Sequence, residues 1–134
     1  MFKPPVISER LRRIALVMSV ILLVVVTVLL LMPVPDGDGR LPRHVDKLVH
    51  FSVFFAVAFP AYVARMRFWP VILVGLVLYG GAVELIQPHF GRSAEFADFI
   101  ANSLGVMAAL PCAVWFRHRR QLKARKPAQG YRPE

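Results

Sequence analysis

Apolar and charged residues segregate into long blocks along this chain. Ile14 to Met32 is 19 residues without a charge, broken only by the hydroxyls of Ser19 and Thr27. At about 1.5 Å per helical residue, about 20 residues cross a hydrocarbon core of about 30 Å. Three further apolar stretches follow: 48–64 with Pro60, 69–86 with Gly75, Gly80 and Gly81, and 96–116 with Asp98 and Asn102 near its start. Helix-breaking residues are tolerated in membrane helices, where neighbouring helices satisfy the freed backbone. The linkers, 33–47, 65–68 and 87–95, are short, and no internal repeat is present. The pattern predicts an all-α fold: an integral membrane four-helix bundle with spans at about 14–32, 48–64, 69–86 and 96–116. A basic arm, 1–13, precedes the 14–116 domain, and a mobile basic tail, 117–134, follows it. The first block exceeds the roughly 7–15 apolar residues of a signal peptide. Met32-Pro33-Val34-Pro35 is no small-x-small cleavage site, so the block reads as a retained anchor.

Composition supports this and narrows the function. Of 134 residues, 57% are hydrophobic and 19% charged, against about 45–50% and about 25% in soluble domains. That apolar content excludes disorder, and a single cysteine, Cys112, excludes a disulfide-stapled fold. Cys112 is expected to pack in lipid or protein with no redox role. The net charge of +9 comes from 17 Lys+Arg against 8 Asp+Glu. Thirteen of the 17 lie in the arm, the 65–68 loop and the tail, and four (Arg40, Arg43, Lys47 and Arg92) in the other linkers. Cytoplasmic loops collect Lys and Arg, which predicts both termini inside (N-in/C-in). Basic residues that flank apolar spans mark topology, so no nucleic-acid partner is expected; the expected partners are the bilayer and anionic lipid headgroups.

Several polar residues stand where hydrocarbon would make them costly, at about 2.5–3.5 kcal/mol for a central Asp, Lys or Arg. Asp46, Lys47 and His50 open the second helix, Glu84 and Gln87 close the third, and Asp98 and Asn102 open the fourth. With alternating helices all of these fall at the outer end. Asp46 and His50 share a face at i, i+4, continued by Val53, Val57 and Pro60. Asp98, Asn102, Gly105 and Ala109 share another, and small residues every four positions let membrane helices approach closely. Asn102 lies roughly 9 Å below Phe96, and Glu84 and His50 are slightly shallower. Simpler roles stand beside the functional ones. Asp46 suits a helix cap, Lys47 snorkelling to headgroups, Ser93 an N-cap, Asn102 an interhelical bond, and Tyr62, Trp69 and Trp115 an interface belt. If Ser93 is the cap, Asp98 lies past the first turn, and capping does not account for it.

The run Asp46-Lys47-Leu48-Val49-His50-Phe51, then Glu84-Leu85-Ile86-Gln87, then Gly91-Arg92, Asp98, Asn102 and Gly105 resembles the VanZ-like family pattern over residues 44–109. The resemblance implies a small bacterial inner-membrane protein of about four helices, in a family whose founding member is linked to resistance to the glycopeptide teicoplanin. It implies a setting and no reaction. Two features depart from the pattern: Ala108 and Ala109 stand where a second glycine often follows, and no accessory domain is expected.

The residues suggest a chemistry of their own. Glu84, Asp98 and His50 are the candidate acid/base or binding groups, with Asp46, Lys47, Gln87, Arg92 and Asn102 as binding residues. Two carboxylates and an imidazole suit proton handling, while two helix N-termini with Arg92 and Lys47 suit an anion such as a lipid-linked envelope precursor. Ser52 faces away from Asp46 and His50, which argues against a serine triad. Metal held by His50, Glu84 and Asp98 has no signature spacing, so no metal and no cofactor is expected. The expected function is an outward-facing polar site that binds or processes a cell-envelope or lipid-linked amphipathic molecule. Two alternatives stay open: a non-enzymatic scaffold clamped by these residues, and a proton-coupled transporter acting as an oligomer.

Overall fold

The computed structural model describes residues 7–32 and 43–125. Residues 1–6 of the N-terminal arm, linker residues 33–42 and the tail from 126 lie outside the described residues, including Lys3, Arg40, Lys126 and Arg132 of the charge count.

Four α-helices account for most of the described chain: α1 (Glu9–Leu31), α2 (Arg43–Arg65), α3 (Trp69–Ile86) and α4 (Phe96–Arg125). Each contains one of the expected apolar stretches, and three of them run further. The start of α1 is set by Ser8, whose Oγ accepts the Leu11 N–H at 3.3 Å, and first-turn Glu9 pairs with Arg12 at 2.6 Å. α2 begins five residues before its apolar stretch, which makes Arg43 to Lys47 helical rather than linker. α4 continues to Arg125, nine residues past Phe116, so the start of the basic tail is helix and not mobile coil. Arg, Gln, Leu, Lys and Ala are strong helix formers, and the helix need not stop where the apolar residues do. A 3₁₀ turn, Met66–Phe68, joins α2 to α3, which carries Pro70 in its first turn. A second, Gln87–Phe90, ends at Gly91, whose φ of 75° is readily reached only without a side chain.

Among the described residues, three helical stretches are long and apolar enough to cross a membrane: Glu9–Leu31, His44–Phe90 (which takes in α3 and nearly all of α2) and Phe96–Lys123. Their outer faces are apolar and bare. Val17, Val20, Val24 and Val28 on α1 are 58–61% exposed, a surface that suits lipid rather than water.

Contacts along α2 and α4 ascend together: Lys47 meets Asp98, His50 meets Asn102, Phe51 meets Gly105, and the Val63 carbonyl accepts from Arg117. The two helices are therefore parallel and in register. Gly105 sets their separation, because a Cβ there would run into the Phe51 carbonyl oxygen and lie 3.1 Å from the Phe55 nitrogen. Phe54, Val57, Ala58, Val106, Ala109 and Ala113 bury fully along this seam. So does Tyr62, which leaves it no place in an interface belt; its face of α2 is the one turned into the bundle. Trp69 and Trp115 remain exposed, with the Arg119 guanidinium 5.0 Å from the Trp115 ring centre.

α1 attaches through hydroxyls. Ser19 donates to the Val57 carbonyl at 3.0 Å, and Thr27 bonds the Tyr79 hydroxyl at 2.5 Å. Gln87 Nε2 donates to the Leu30 carbonyl at 3.1 Å, which ties the ends of α1 and α3 together. The C-terminal ends of α1 and α3 thus lie at the same end of the bundle as the N-terminal ends of α2 and α4.

Candidate functional site

That shared end gathers the ionisable residues. Asp46 occupies the first turn of α2 and Asp98 the first turn of α4. The Asp98 and Phe99 N–H groups both donate to the Glu95 carbonyl, so α4 starts at Phe96 and Ser93 lies outside it. The expectation that Asp98 sits beyond a Ser93 cap is thereby corrected: an acid in a first turn has a dipole role. Its burial, with 3% of the residue exposed, goes beyond what that role requires.

Three buried side chains from three helices form a chain of contacts. His50 Nδ1 lies 3.0 Å from Asn102 Oδ1, and Asn102 Nδ2 donates to Glu84 Oε1 at 3.1 Å. Glu84 Oε1 is also 3.6 Å from His50 Nδ1. Since Asn102 Oδ1 can only accept, His50 carries a proton on Nδ1. In the neutral imidazole its lone pair then lies on Nε2. That Nε2 and Glu84 Oε2 are both buried without a hydrogen-bond partner. An unmet buried polar atom costs about 1–3 kcal/mol, and here two adjoin one network.

A charged rim surrounds this core. Lys47 does not reach outward to headgroups as snorkelling would require. Its Nζ donates to Asp98 Oδ1 at 2.8 Å and to Glu95 Oε2 at 2.9 Å, bridging α2 and the start of α4. The flexible four-carbon stem spans the two parallel helices once they stand this close. Arg92 Nη2 lies 3.7 Å from Asp46 Oδ1. Ligand atoms of Asp46, His50 and Asp98 all lie within 4.8 Å of one another. The metal set weighed from the sequence contained Glu84 instead of Asp46.

Of the candidate residues, Glu84, Asp98, His50, Asp46, Lys47, Arg92 and Asn102 thus come together at one end, and Gln87 lies beside them with its amide on α1. Glu95 escaped the sequence reading. An acid directly before a helix reads as a cap, and its ion pair with Lys47 depends on the approach of α2 to α4. Ser52 is exposed and outside the network.

Comparison with curated proteins and with solved structures gave no match. The profile of the VanZ/LLP1 family matches residues 6–117, which take in α1 to α3, most of α4 and every residue of the cluster. The chain belongs to the VanZ/LLP1 family.

Proposed function

We propose that this is a multi-pass protein of the bacterial inner membrane, with four spans and both termini cytoplasmic. Its polar cluster opens toward the extracytoplasmic side and binds or processes an amphipathic cell-envelope or lipid-linked molecule. The observation that carries this reading is the pair of unpartnered buried atoms, His50 Nε2 and Glu84 Oε2, beside a bonded His50–Asn102–Glu84 chain. A structural clamp gains nothing from leaving such atoms unmet, whereas a site for a polar ligand needs them. His50 and Glu84 handle protons or bind, Asn102 orients both, and Arg92 holds an anionic group of the ligand. Gln87 positions the end of α3 against α1. The glycopeptide link of the founding member fits a ligand of the cell envelope.

The test is co-purification. Lipid or lipid-linked precursor carried by the wild-type protein is expected to be lost from Glu84→Gln and Arg92→Ala, with membrane insertion unchanged. Retention in both variants rejects the site. Glycopeptide susceptibility measured on the same strains probes the envelope link.

A second reading has its own support, because the His50–Asn102, Asn102–Glu84 and Lys47–Asp98 contacts each join two helices. If the cluster is only a clamp, the protein is a scaffold or partner subunit. Glu84→Leu would then raise or preserve the melting temperature in detergent and leave any phenotype intact. The site reading expects stability preserved and function lost.

A further inference from the structure

We infer that Asp46, His50 and Asp98 bind a divalent transition-metal ion. The inference deepens the proposed function and rests on reading the cluster as a ligand site.

Two carboxylates and one imidazole bring their ligand atoms within 4.8 Å of one another. A tetrahedral ion with ligand bonds of about 2.0–2.2 Å holds neighbouring donor atoms about 3.4 Å apart. Small side-chain rotations therefore close the set around an ion. The backbone already supports it: Asp46 and Asp98 occupy the first turns of two parallel helices locked at Gly105, and His50 follows Asp46 by one turn.

The independent observation is the imidazole. His50 is 1% exposed, and Nε2 has no hydrogen-bond partner. Its Nδ1 is committed to Asn102 Oδ1, so Nε2 is the nitrogen left for an ion. Metal-binding histidines have this arrangement: one ring nitrogen bonds an outer oxygen, which fixes the tautomer and aims the other nitrogen at the metal. Here the support extends one step further, since Asn102 is itself held by Glu84.

The cations nearby do not displace the ion. Lys47 touches Asp98 through Oδ1, and Arg92 approaches Asp46 through Oδ1. A carboxylate can hold a side-chain cation on one oxygen and a metal on the other, and the side-chain partner then fixes its orientation. An imidazole donor favours zinc-like ions over magnesium or calcium, which prefer oxygen donors alone. Three protein ligands leave a fourth position open. An anionic oxygen of the proposed amphipathic ligand can take that position.

The experiment uses the full chain in detergent, stripped with chelator and titrated with zinc alone against a chromophoric competitor. Elemental analysis counts the bound ion. One zinc per chain is expected, with affinity falling at least about tenfold in Asp46→Asn and in Asp98→Asn and unchanged in His118→Ala. His50→Ala also removes a buried bond and can unfold the cluster, so half-buried Asp46 supplies the cleaner variant; melting of the metal-free forms checks that each is folded. No saturable uptake by the wild type, uptake indifferent to both aspartate variants, or uptake abolished by His118→Ala overturns the inference. Should uptake fail while lipid co-purification still depends on Glu84, the metal falls and the site stands. Should zinc bind as described while no amphipathic molecule co-purifies, the metal stands and the envelope ligand falls.

Discussion

α1 and the α2–α4 pair solve the same problem with different materials. α1 meets its neighbours through two hydroxyls, one backbone carbonyl and a strip of buried apolar residues (Ala15, Val26 and Leu30), while most of its apolar surface stays bare. The α2–α4 seam is apolar along its middle and closest at Gly105, and it carries buried His50 and Asp98 at one end and buried Arg117 at the other. Hydroxyl contacts are neutral and can be lost without leaving a buried charge. A carboxylate or imidazole in the seam can be neither removed nor stranded so lightly. In the proposed function, α1 therefore serves as anchor and screen, and the ligand site is assigned to the ends of α2, α3 and α4.

The largest effect should come from closing the seam's narrowest point. Gly105→Val is expected to cost at least the 1–3 kcal/mol typical of overpacking, because backbone atoms of α2 stand in its way. Gly75→Val has open space around it and should stay within about 0.5 kcal/mol, so thermal melting of the two in detergent compares seam with surface directly. Next is Asn102→Leu, which strands His50 and Glu84 together; a loss of about 1–3 kcal/mol is expected, along with loss of any co-purifying ligand. Glu84→Gln keeps the shape and a hydrogen-bonding oxygen, and should change stability by less than about 1 kcal/mol while abolishing ligand retention. The smallest effects fall on α1: Ser19→Ala and Thr27→Val should each cost about 0.6 kcal/mol, the average for an interhelical bond in membrane proteins. If the α1 substitutions prove more damaging than Asn102→Leu, the contrast between the two regions fails.

Much of this was legible in the order of residues. Spacing alone placed Asp46 with His50 and Asp98 with Asn102, because helical periodicity fixes which positions share a face. The apolar blocks located the helices but not their ends: Ser8 and the helix-forming run from Arg117 extend α1 and α4 beyond the apolar residues. What stayed hidden depends on how helices rotate against one another. Lys47 could be read as pointing outward until α4 stood close enough to receive it. Tyr62 looked amphipathic and belongs to the core, because the face it occupies is turned into the bundle. Ser93 carried a capping side chain, yet Glu95 supplies the first carbonyl of α4, a choice made by the path of the preceding turn.

The parallel run of α2 and α4 has one last consequence. In a chain that zigzags, every second helix points the same way, so elements two apart in sequence present like poles side by side. Here both of those poles are positive, and they lie at the end where Asp46 and Asp98 stand. Acids are what such a junction attracts, and an incoming anion meets the same bias. α1 and α3 bring their negative poles to the same end, so the bias belongs to the junction of α2 with α4 and comes from the pairing of those two helices rather than from the zigzag alone.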